Sequence, residues 1–145
     1  MKQVLVRSIA AFAAVLCLGM PALVAAPAHA ASSAAFLKGT WVGACTGFYV
    51  GGSCTGDEKI KITKVKGHAA KGTWQYRASA DESWSSPSQA TFVVRAVGDG
   101  TWEVYGSDDN GTYEGIYTPW TGHLELAYMK SGPKGATFFF DLTRK

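Results

Sequence analysis

Lys59-Ile60-Lys61-Ile62 and Gly72-Thr73-Trp74-Gln75-Tyr76-Arg77 are the stretches that decide how this chain folds. In both, residue character changes with period two, so that Trp74 and Tyr76 share one face while Gln75 and Arg77 share the other. Successive side chains of a β-strand point to opposite faces, and this alternation is the mark of a strand buried on one side. Working outward, the pattern recurs at Phe92, Val94 and Ala96, at Trp102 and Val104, at Leu124, Leu126 and Tyr128, and at Phe138, Phe140 and Leu142. Eight strands are read near 38–44, 58–65, 69–78, 89–97, 101–107, 111–118, 123–130 and 136–143. Lys66-Gly67-His68, Gly98-Asp99-Gly100, Asp108-Asp109-Asn110 and the Gly/Pro-rich stretch 131–135 are short enough to be hairpin turns. Short links between successive strands give an up-and-down antiparallel order. Eight such strands are expected to close into a barrel, which removes the exposed edges of a flat sheet. A two-sheet β-sandwich is the alternative.

Residues 1–30 have the composition of a secretory signal. Lys2 and Arg7 start it, an apolar run follows from Ile9 to Ala26, and Ala28-His29-Ala30 offers small residues for cleavage. Pro21 and Pro27 argue against a membrane anchor, and Leu16 before Cys17 argues against a lipid-modified cysteine. The expected organisation is a cleaved signal, 1–30, and one β domain, 31–145, of about 115 residues. Removing Lys2 and Arg7 from 14 basic residues leaves 12 against 11 acidic ones, so the net charge falls from +3 to +1. A near-neutral domain has no electrostatic reason to bind nucleic acid, or a membrane once the signal is gone. Cys45 and Cys54 are the cysteines left after cleavage, and in an oxidising compartment they are expected to form a disulfide. The expected location is therefore secreted or periplasmic.

Gly39-Thr40-Trp41, Gly72-Thr73-Trp74 and Gly100-Thr101-Trp102 repeat one tripeptide at odd-numbered strands, which all run the same way in an up-and-down barrel. Parity thus gathers Trp41, Trp74 and Trp102 at one closed end, as an aromatic plug. The same parity sends both long connections, 44–57 and 79–88, to the opposite mouth, with Phe48, Tyr49 and Trp84 as candidate ligand contacts. The Gly-x-Trp opening of the first strand, together with Arg144 after the last, resembles the calycin group of lipocalins, fatty-acid-binding proteins and avidins. In that group an Arg packs across the first-strand Trp, and the resemblance implies a lipocalin-like barrel able to hold a small apolar ligand, with Arg144 lying over Trp41. A lipocalin-like Thr-Asp-Tyr motif and the avidins' biotin-binding set of Asn and Ser residues are both missing.

Catalysis needs convergent groups, and the sequence offers none: no nucleophile beside a base, no carboxylate pair and no metal-ligand spacing. His68 and His123 read as surface residues, and Asp108-Asp109-Asn110-Gly111 lacks the spacing of a calcium loop. No enzyme activity, metal or cofactor is expected. Charge is segregated, with Lys59, Lys61, Lys64, Lys66, Lys71 and Arg77 on the second and third strands and acidic residues gathered from Asp99 to Glu125. The leading functional expectation is a binding protein that takes a small hydrophobic or amphipathic ligand through the mouth. The alternative is a protein-binding module, such as a hydrolase inhibitor, acting through the disulfide-closed loop 45–54.

Overall fold

Nine antiparallel strands occupy most of residues 33–49, 52–132 and 135–145, the part of the chain that the computed structural model describes. The signal segment expected at 1–30 lies outside the described residues, as does the side chain of Tyr49. The strands are β1 Gly39–Tyr49, β2 Gly52–Cys54, β3 Asp57–Lys66, β4 Ala69–Arg77, β5 Ser88–Gly98, β6 Thr101–Ser107, β7 Gly111–Thr118, β8 His123–Lys130 and β9 Ala136–Arg144. Hydrogen bonding follows chain order from β3 to β9, and β1 pairs with β3 on one side and β9 on the other. The β1–β9 ladder, from Trp41↔Arg144 to Tyr49↔Ala136, closes the sheet. The result is an up-and-down barrel of eight strands, and this closure rules out the sandwich. The additional strand, β2, is a three-residue flap that folds back on the end of β1.

Alternation places the core as expected, with Ile60 and Ile62, Phe92 and Val94, Trp102 and Val104, Leu124 and Leu126, and Leu142 all buried inside. Ala96 departs from the pattern: it is exposed, next to a bulge between Ala96 and Gly98 that ends the β5–β6 ladder. The first strand runs five residues beyond its expected end at 44, because its second half pairs with β9 rather than leaving the sheet. Close approach of backbones at this seam requires glycine: a Cβ on Gly43 would lie 1.8 Å from the carbonyl oxygen of Asp141.

Strand direction gives the barrel two unlike ends. At one, the 3-10 turn Ala34–Leu37 folds across the opening ahead of β1, with the Ala34 amide donating to the Gly67 carbonyl at 2.8 Å. Phe36 stacks on Tyr117 at 4.5 Å and lies 5.1 Å from Trp102. The Trp41 indole N–H donates to the Leu37 carbonyl at 2.8 Å. Arg144 lies 4.9 Å over the Trp41 ring and donates from Nη2 to the Phe36 carbonyl. This end is filled with side chains.

Candidate functional site

The opposite half of the barrel is hollow. A cavity of about 230 Å³ lies among Glu58, Trp74, Tyr76, Tyr113, Tyr128, Phe138 and Phe140, and the Cys45–Cys54 disulfide forms part of its wall. Each lining residue follows from strand alternation: Glu58 continues the inward series of Ile60 and Ile62, and Phe138 continues that of Phe140 and Leu142. The volume corresponds to an organic molecule of roughly ten non-hydrogen atoms, below the usual range for drug-sized ligands.

Glu58 is the acid of this cavity. It is 2% exposed, and its Oε1 has no hydrogen-bond partner. Burial, and after it the nearby Asp108 carboxylate, push its pKa well above the ordinary range, so the empty cavity favours the neutral acid. Trp74 Nε1, on the neighbouring strand, is likewise buried without a partner. Glu58 pairs with Tyr76 across the β3–β4 ladder, and Trp74 is two residues further along β4, on the same face. Such a diagonal spans roughly 7–8 Å, within reach of one small molecule.

Asp108, at the β6–β7 turn, supplies the second negative charge. Its Oδ1 accepts from the Asn110 and Gly111 amides at 2.7 and 2.9 Å and from the Tyr128 hydroxyl at 3.0 Å. Its Oδ2 accepts from the Tyr113 hydroxyl at 3.1 Å. The two phenols are thereby held in the cavity wall in their neutral form. Burial raises both pKa values, with Glu58 and Asp108 adding to the effect at Tyr113 and Asp108 to that at Tyr128.

The residues singled out from the sequence are divided between the two ends and the outer surface. Trp41, Trp102 and Arg144 meet at the filled end. Trp74 does not join them. It lines the cavity, because β4 begins at Ala69 and Trp74 is its sixth residue, whereas Trp41 and Trp102 are the third and second residues of their strands. Cys45 and Cys54 are bonded, with Cα atoms 5.7 Å apart.

Phe48 and Trp84 lie outside the cavity. Inward alternation through Trp41 and Cys45 turns Phe48 outward, where it is 78% exposed and shares a shallow depression with Met129 and Phe139. Trp84 folds back against the outer face of β3 and β4, with Lys59 Nζ at 4.3 Å and the Arg77 guanidinium at 4.6 Å from its ring. Arg77 is further fixed by Asp57 at 2.6 Å. Sequence alone leaves Glu58 unmarked and reads Asp108 only as a hairpin-turn residue. Extending the Ile60–Ile62 alternation back by one step would have found Glu58.

The fold and the site define a class: a closed eight-stranded antiparallel β-barrel, disulfide-bonded at one wall, solid at one end and hollow at the other. No family model matches the chain, and no curated protein matches it. Among solved structures it is similar to the crystal structure of Rv2717c from M. tuberculosis, with a TM-score of 0.54 and 16% sequence identity, over 77% of this chain and 94% of that one. At that identity the likeness concerns the barrel fold alone.

Proposed function

We propose that this chain is an exported binding protein that holds a small amphipathic molecule in the hollow half of its barrel. The observation that carries this reading is the pair of unpartnered buried polar atoms, Glu58 Oε1 and Trp74 Nε1, set in an otherwise aromatic cavity. A buried polar group left unsatisfied costs about 1–3 kcal/mol. A ligand with an apolar body and a polar head would satisfy both atoms and cover the aromatic surface. Residual calycin character, with Arg144 across Trp41, agrees with a carrier architecture. Export is supported by the disulfide, which persists in oxidising compartments, and by the signal-like composition of residues 1–30. Among the described residues no helix is long and apolar enough to cross a membrane.

Native mass spectrometry of the protein purified without denaturation is expected to reveal an adduct of small-molecule mass that is lost on unfolding. In parallel, the Trp74 indole N–H resonance is expected to move when small neutral, cationic or anionic aromatic probes are added. A bare protein whose Trp74 resonance responds to none of them refutes the reading.

A further inference from the structure

We infer that the molecule taken by this cavity is a small organic amine, held as its ammonium ion by the Glu58 carboxylate within the aromatic wall. The inference rests on the binding reading above and narrows it to one chemical class.

Charge is the first argument. Among the described residues the lining contains one carboxylic acid, Glu58, and no Lys, Arg or His. Asp108 adds a carboxylate beside the Tyr113 and Tyr128 hydroxyls. The basic residues nearest in sequence, Lys59 and Arg77, are turned to the outer face, where both lie against Trp84. Once ionised, Glu58 adds to the negative charge of Asp108, and among the described lining residues no cation neutralises the two. That charge favours a cationic ligand over an anionic one.

Aromatic character is the second. Trp74, Tyr76, Tyr113, Tyr128, Phe138 and Phe140 surround the acid. The π face of an aromatic ring attracts a cation, most strongly where water is excluded. Hydrogen bonding is the third. In the ionised form that pairs with the ligand, Glu58 Oε1 accepts from a donor, which an N–H of a primary or secondary ammonium provides and a quaternary ammonium does not. Trp74 Nε1–H is left to donate to an oxygen elsewhere on the same ligand.

Because the empty cavity favours neutral Glu58, binding an ammonium ion is an exchange. The ligand enters as R–NH3⁺, the Glu58 O–H bond breaks, the proton leaves to solvent and the carboxylate pairs with the ammonium. The groups facing Glu58 are Asp108 from the β6–β7 turn, Tyr76 on β4, Tyr113 on β7 and Tyr128 on β8; β9 contributes Phe138 and Phe140, and β1 with β2 the disulfide. Asp57, Lys59 and Arg77 carry their charges on the outer face.

Phenethylamine and 2-phenylethanol, similar in size and differing in charge, test the inference by isothermal titration calorimetry between about pH 5 and about pH 8. The amine is expected to release one proton per molecule bound, measured in buffers of different ionisation enthalpy. Its affinity should rise about tenfold per pH unit while Glu58 is protonated in the empty barrel. The alcohol should bind with no pH dependence. Glu58→Gln should remove the pH slope and weaken the amine at least about tenfold more than it weakens the alcohol. Equal amine affinity in the variant, or amine binding with no proton release, overturns the inference. If the alcohol binds and the amine does not, the amine assignment falls while the carrier reading stands. If neither binds at millimolar concentration and no adduct is found by mass, both fall.

Discussion

Replacing Glu58 by Gln should stabilise the empty barrel, by an amount that grows with pH. In an unfolded chain a glutamate ionises near pH 4.3. In the folded barrel, burial and the Asp108 charge hold Glu58 neutral well above that value. Below the unfolded pKa both states carry the proton, and wild type and variant should differ only by the small change in hydrogen-bonding capacity. As the pH rises through the interval between the two pKa values, the unfolded chain loses the proton and the folded one keeps it. Folding must then take up a proton, and stability falls by about 1.4 kcal/mol per pH unit. The fall ends once the pH has passed the folded value. Glutamine does not titrate, so this loss is absent from the variant, while every other carboxylate contributes equally to both proteins and cancels in the difference. For each pH unit inside the interval the variant should gain on wild type by that same slope, or roughly 5 °C in Tm for a domain of this size. Urea unfolding followed by tryptophan fluorescence at several pH values measures it, with the m-value checked for constancy. A difference that stays flat with pH, or that favours wild type as pH rises, refutes the burial of a neutral acid at this position.

Three further outcomes are expected. Replacing Cys45 and Cys54 together by Ala should lower stability by about 2–3 kcal/mol, since the bond closes a loop with a sequence separation of 9; the urea midpoint reports it. Gly43→Ala should cost roughly 3 kcal/mol or more in the same assay, because the added carbon meets the Asp141 carbonyl at the seam that closes the barrel. Tyr113 and Tyr128 should remain un-ionised in alkaline absorbance titration until the barrel unfolds, since burial and the adjacent carboxylates raise both pKa values; their steps appearing in the ordinary tyrosine range, with the fold intact, would contradict the wall described above.

Strand positions were legible because they depend on a local signal, the inward alternation of large apolar residues, and chain order then dictated which neighbours could pair. The filled end was legible in part for the same reason: Trp41, Trp102 and Arg144 are at strand termini whose direction follows from parity. Trp74 shows where that reasoning fails. A repeated tripeptide does not imply a repeated height in the barrel, and Ala69-Ala70-Lys71 in front of it carry Trp74 about 16 Å along β4, into the other half. The second half of β1 was illegible for a different reason. Cys45-Thr46-Gly47-Phe48 has the glycine and cysteine content of a loop, and it forms a strand because β9, some ninety residues later in the chain, pairs with all of it and β2 with its end. The 3-10 turn Ala34–Leu37 carries a local signal, the Ser33 cap, but its position across the barrel end depends on Gly67, Tyr117 and Arg144, all distant in sequence.

The two halves of the barrel differ in what their side chains accomplish by themselves. At the filled end the Trp41 indole meets the Leu37 carbonyl and the Arg144 guanidinium meets that of Phe36. In the hollow half, an acid and an indole N–H are withdrawn from water without partners, beside a second carboxylate whose charge makes ionisation of the first harder. Leucine at position 58 would be the simpler solution for a barrel that had only to stay folded, because it continues the Ile60–Ile62 series and removes the proton-linked loss of stability. The disulfide in the wall of this same half offsets part of that loss by constraining the unfolded chain. Under the proposed binding function, the free energy withheld from folding in this cavity is recovered when a ligand binds, and most fully by one whose charge and donor complement Glu58.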